Sequence, residues 1–94
     1  MQITGVEKLE DCFDGSSVYC YHFDRPTTRP DILLLCALGR LEYFADFPRP
    51  FYRLVAAAGP QLKGVEGMAH CRVVVPRDGE ERFRQELQAL FSPP

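Results

Sequence analysis

The chain has 94 residues, 46% hydrophobic and 26% charged, with a net charge of −2. That length holds one domain with a single core, and the composition sets aside a disordered chain and a general nucleic-acid binder, which needs a basic excess to displace counterions from phosphate. No apolar stretch approaches the ~18 residues of a spanning helix, and Met1 to Glu10 shows no basic segment followed by an apolar one.

The four cysteines, Cys12, Cys20, Cys36 and Cys71, include no CxxC pair. With no secretory signal visible, they are read as reduced thiols, with Cys36 in the core. The expected setting is cytoplasmic, with no nucleic-acid partner and no membrane partner.

In chain order, Thr4-Gly5-Val6-Glu7 has the form of a capping box, and Val6, Leu9 and Phe13 share one helical face. A short helix over 5–13 is therefore expected; Asp14-Gly15, a strong hairpin dipeptide, supports a strand as the rival reading. Ser17 to Asp24 alternates, with Tyr19, Tyr21 and Phe23 on one side and Val18, Cys20 and His22 on the other, which predicts a strand. Arg25 to Pro30 carries two prolines and no large apolar residue, so it reads as a loop.

Ile32 to Leu38 is the longest unbroken apolar run. It reads as a buried central strand that turns at Gly39-Arg40 into a second strand over 41–45. A continuous helix over 31–45, opened at Pro30-Asp31, competes, but Gly39 in mid-helix would cost about 1 kcal/mol relative to alanine. Beyond the stiff Asp46 to Pro50 segment, Phe51, Leu54, Val55 and Ala58 fall on one helical face and Gly59-Pro60 supplies a stop, which predicts a helix over 51–58.

Gln61 to Gly67 reads as a loop or ragged strand, and Met68 to Val75, ending in three valines, as a strand. Phe83, Leu87 and Leu90 define a closing helix over 79–91, followed by a frayed tail at 92–94. Together these elements predict a single α+β domain over 1–94. Its expected form is a mainly antiparallel sheet of about four strands with two or three helices on one face, in a ferredoxin-like arrangement.

Three groups of residues could carry a function. Arg25 and Arg29 in one loop, with Arg49 and Arg53 at the start of the expected 51–58 helix, could hold a phosphate or carboxylate at a helix N-terminus. Tyr43, Phe44, Phe47, Phe51 and Tyr52 form an aromatic cluster that marks an interaction surface wherever it is exposed. Cys20, His22, His70 and Cys71 are weak metal or thiol candidates, because adjacent residues of a strand point oppositely and at most three of the four can converge.

Catalytic signatures such as G-x-S-x-G, H-E-x-x-H or a Walker sequence do not occur. The reading is a non-catalytic binding or protein-interaction module with no cofactor, engaging a protein partner or a second copy of itself as a dimer. The alternatives are a domain for a small anionic ligand and a thiol or metal protein.

Overall fold

Alternation of side chains at period two governs most of this chain. The computed structural model describes residues 1–57 and 59–91. Six strands form: β1 (Ile3–Asp11), β2 (Ser17–Phe23), β3 (Gly39–Phe44), β4 (Phe51–Ala56), β5 (Gln61–Val65) and β6 (His70–Val75). Two short helices accompany them, α1 (Arg29–Leu34), continued by a 3-10 turn over Leu35–Leu38, and α2 (Glu80–Phe91).

All six strands make one antiparallel sheet in the order β1-β2-β6-β5-β4-β3. The chain lays down the β1–β2 hairpin and crosses through α1 to the opposite edge. It then returns as a meander from β3 to β6, which docks against β2. The α+β domain expected as four strands in a ferredoxin-like arrangement is thus corrected to a six-stranded sheet with two short helices.

The sheet has one covered and one uncovered face. On the covered face Tyr19, Tyr21 and Phe23 of β2, Tyr52, Leu54 and Ala56 of β4, Leu62 of β5, and Cys71, Val73 and Val75 of β6 are buried. They share one core with Ile32 and Leu35 of the α1 segment and Phe83, Leu87 and Phe91 of α2. The α2 residues recur at i, i+4 and i+8, and each contributes about 2 kcal/mol by leaving water. The Tyr19 hydroxyl donates to Glu80 at the start of α2, and Glu80 also pairs with Arg84.

Several local expectations are overturned. In place of the 5–13 helix, residues up to Asp11 belong to edge strand β1 and the chain then turns at Asp14 and Gly15: Gly15 has φ +92° and the Asp14 carboxylate accepts from the Ser16 amide. The 51–58 segment is strand β4, buried at Tyr52, Leu54 and Ala56; Ala58 lies outside the described residues. Of the two readings of 61–67, loop or ragged strand, the strand holds, as β5 over Gln61–Val65, and the expected tail at 92–94 lies outside the described residues.

Ile32 to Leu38 is not a strand. Asp31 opens α1 by accepting hydrogen bonds from the Thr28 amide (2.9 Å) and hydroxyl (2.8 Å), and the Arg25 guanidinium grips both of its oxygens at 2.7 and 3.0 Å. Burial opposes the charge on Asp31, yet these partners outweigh it and hold the carboxyl at about 2. Only Ile32 and Leu35 of the run are buried, while Leu33, Leu34 and Cys36 face outward. Gly39 then serves close packing rather than a turn: a Cβ there would lie 2.3 Å from the Val55 carbonyl oxygen.

Candidate functional site

Side chains on the uncovered face come from the alternate positions of the same strands. The register brings Glu42 opposite Arg53, Arg53 opposite Lys63, Lys63 opposite Arg72, Arg72 opposite Cys20 and Cys20 opposite Glu7. One transverse row therefore crosses all six strands, with three cations on the adjacent strands β4, β5 and β6 and a carboxylate at each end. Strands lie about 4.8 Å apart, so the three cations occupy a band about 10 Å wide.

A shallow cavity of about 810 Å³ lies over this row. Arg49, on the turn before β4, reaches it from one side. Arg53 is the one cation of the row with a carboxylate nearby, Glu42 at 3.8 Å. Among the described residues, Arg49, Lys63 and Arg72 have no carboxylate within 4.0 Å. The Arg53 Nε is shut off from solvent and meets no hydrogen-bond acceptor among the described residues. Its nearest carboxylate oxygen is that of Glu42, too far at 3.8 Å for a hydrogen bond, so the pairing there is loose and electrostatic.

One row along the strands toward the β3–β4 turn, Phe44 faces Phe51, and Phe51 faces Val65. The rings of Phe44 and Phe51 stack with centroids 4.6 Å apart. Phe47 folds from the turn onto Phe51 at 5.3 Å, tilted by 51°. Phe47 is 53% exposed and Phe51 37%; Phe44, Phe51 and exposed Met68 form an apolar wall of the cavity, with Phe47 outside its lining.

The arginine group predicted from sequence divides. Arg49 and Arg53 do line one cavity, but they flank and lie on a strand, so the anticipated helix N-terminus does not exist there. Arg25 is committed to Asp31, and Arg29 lies over the Tyr43 ring, 5.8 Å from its centroid. Neither lines the cavity. Lys63 and Arg72, which complete the row, were not singled out by the sequence reading; they are 10 and 19 positions from Arg53 and only the register brings the three together.

The aromatic group divides as well. Tyr52 is buried on the covered face, its ring lying across Gly64, where a Cβ would approach the hydroxyl to 2.2 Å. Burial pushes the Tyr52 hydroxyl well above its usual range. Tyr43 packs at the margin of the core and donates its hydroxyl to Glu66. Of this group, Phe44 and Phe51 line the cavity on the uncovered face, and Phe47 packs on Phe51 beside it.

Of the thiol and imidazole group, Cys20, His22 and His70 are on the uncovered face, and His22 pairs in register with His70. Cys71 points into the core, where burial pushes its thiol strongly upward, so it is inert as a nucleophile. Burial and the Glu7 carboxylate also push the Cys20 thiol up, outweighing Arg72. His22 lies 3.7 Å from Glu7. Among the described residues, no three His, Cys, Asp or Glu side chains are grouped to hold a metal ion.

No helix among the described residues is long and apolar enough to cross a membrane. No protein-family model, curated protein or solved structure matches the chain.

Proposed function

We propose that this protein is a non-catalytic binding domain whose uncovered sheet face takes a small anion. The observation that carries the reading is the cation row, Arg53, Lys63 and Arg72 on three adjacent strands, with Arg49 above it and, among the described residues, one carboxylate near one of the four. Like charges placed opposite one another on neighbouring strands repel, so the row works against sheet stability unless a counter-charge sits on it. Guanidinium groups suit phosphate and carboxylate through paired, charge-assisted hydrogen bonds, and the lysine adds a mobile point charge.

The glutamates at the two ends bear on the size of the anion. An extended polyanion tracking across the sheet would meet Glu42 on one side and Glu7 on the other, whereas a compact one fits the band of cations between them. This favours a phosphate- or diphosphate-sized group over a nucleic-acid strand. It also works against a second copy covering the same face, since a two-fold axis through the row would set cations against cations. The four free thiols are in keeping with a cytoplasmic setting.

The test is calorimetric titration of the protein with inorganic phosphate and inorganic diphosphate at low salt. Binding of diphosphate that weakens with added salt is expected. Removing Lys63 or Arg72 as alanine variants should lower affinity roughly ten-fold or more each, the worth of one charge-assisted hydrogen bond. Heat signals that are absent for both anions, or unchanged in Lys63→Ala and Arg72→Ala, would refute the proposal.

A further inference from the structure

Resting on the anion-binding reading, we infer that the ligand is a phosphate ester carrying a planar ring, of mononucleotide dimensions, with its ring against Phe51, which Phe47 braces from behind the cavity lining, and its phosphates on Arg53, Lys63 and Arg72. Phe51 and Arg53 are two residues apart on β4 and point to the same face, so their side chains leave the sheet about 7 Å from one another. That is the separation between the ring and the phosphates of a small nucleotide in extended form. Val65 and Lys63 repeat the same apolar-to-cationic step on β5, so the two chemistries run parallel across two strands.

The aromatic wall is unlike a piece of core that failed to close. Phe47, beside it, is contributed by a turn held between Pro48 and Asp46, and it tilts onto Phe51 rather than toward the helices. Large apolar side chains held at the surface beside a row of cations, of which Lys63 and Arg72 have no carboxylate within 4.0 Å among the described residues, suit a ligand with an apolar plane at one end and negative charge at the other. Stacking on such rings tolerates any planar heterocycle, so the wall specifies a ring without selecting one base. The carboxylates of Glu42 and Glu7 at the ends of the row keep the charged part compact, which separates this ligand from a single-stranded nucleic acid.

The experiment compares adenosine 5′-diphosphate with inorganic diphosphate by calorimetric titration, without divalent metal, on wild type and on two variants, Phe51→Ala and Phe47→Ala. The nucleotide is expected to bind wild type roughly 10- to 100-fold more tightly than diphosphate, the size of base–aromatic stacking. Phe51→Ala should remove most of that margin while leaving diphosphate affinity unchanged. Phe47→Ala, at a turn position outside the core, provides the same readout should Phe51→Ala fail to fold.

Equal affinity for the nucleotide and diphosphate in wild type would overturn this inference and leave the anion reading standing. Binding of neither overturns both. A single-stranded oligothymidylate that bound more tightly than the nucleotide would also overturn it, by showing that the face takes an extended strand.

Discussion

Asp31→Asn removes a charge that the start of α1 is built around, and its cost can be worked from the structure. The carboxylate is 6% exposed and sits at about 2 in the fold, against an ordinary value of 3.8. At about 1.4 kcal/mol per pH unit, that gap makes the ionised form worth roughly 2.5 kcal/mol to the folded state at pH 7.

Because the folded value is depressed, the stabilisation is full above the unfolded value and drains away as pH falls from near 4 through 2. About half should remain at pH 3. Urea unfolding followed by far-UV circular dichroism, on wild type and Asp31→Asn at pH 7, 5, 4 and 3, gives the difference directly. A penalty near 2 kcal/mol at neutral pH that narrows over this range is expected.

Arg25→Ala in the same background separates the contributions. The Arg25 side chain is 43% exposed, so solvent screens it, and a coupling of about 1 kcal/mol with Asp31 is expected, the Thr28 contacts carrying the rest. A penalty that stayed flat from pH 7 to pH 3 would refute the argument, because it would mean that the shape of the side chain, and not its charge, holds α1 in place.

Gly39→Ala should destabilise by more than 2 kcal/mol in the same unfolding assay, since its Cβ would meet the β4 backbone, whose Val55 oxygen and Ala56 Cα lie at 2.3 and 2.7 Å; a neutral effect would show that the two strands can part freely. Gly64→Ala should cost about 1–3 kcal/mol, because the Tyr52 ring it displaces is buried; nuclear magnetic resonance of the tyrosine ring protons would register the shift. Maleimide labelling followed by mass spectrometry should modify exposed Cys36 first and Cys71 only on unfolding, and equal rates would contradict the burial of Cys71. Phe83→Ala should lower stability by about 3–5 kcal/mol, as a large side chain lost from the core, and a loss under 1 kcal/mol would mean that α2 is not docked there.

The two elements read most closely from sequence are β2 and α2, where a single period dominates: Tyr19, Tyr21 and Phe23 alternate without interruption, and Phe83 and Leu87 repeat at helical spacing. In β4 two periods coexist. Phe51, Leu54 and Val55 mimic a helical face, while Tyr52, Leu54 and Ala56 are the residues buried, and the β-favouring Tyr, Val and Phe side chains were the signal that could have decided it. The Asp14-Gly15 hairpin was visible as a rival to the helix over 5–13, and the turn chemistry prevailed over a three-residue apolar coincidence.

Ile32 to Leu38 misled because it is apolar throughout while the fold uses only Ile32 and Leu35 as buried anchors, and the Thr28 to Asp31 capping pair that starts α1 lies just before it. The site was half legible. Arg49 and Arg53 stood out as local neighbours of the aromatic cluster, but Lys63 and Arg72 gain their meaning from the register of three strands, which no local pattern encodes.

The place of β6 in the strand order also ties the cation row to the integrity of the sheet. Within β1–β2 and within β3–β4–β5 every strand pairs with its neighbour in sequence, and β6, lying between β2 and β5, is the strand that joins the two groups. Arg72 is on that strand, so the same pairings that make the sheet continuous also complete the cationic row. The pairing of β2 with β6 spans about fifty residues of sequence, a long-range closure of the kind that slows folding, and without β6 the chain would possess neither the joined sheet nor the full row.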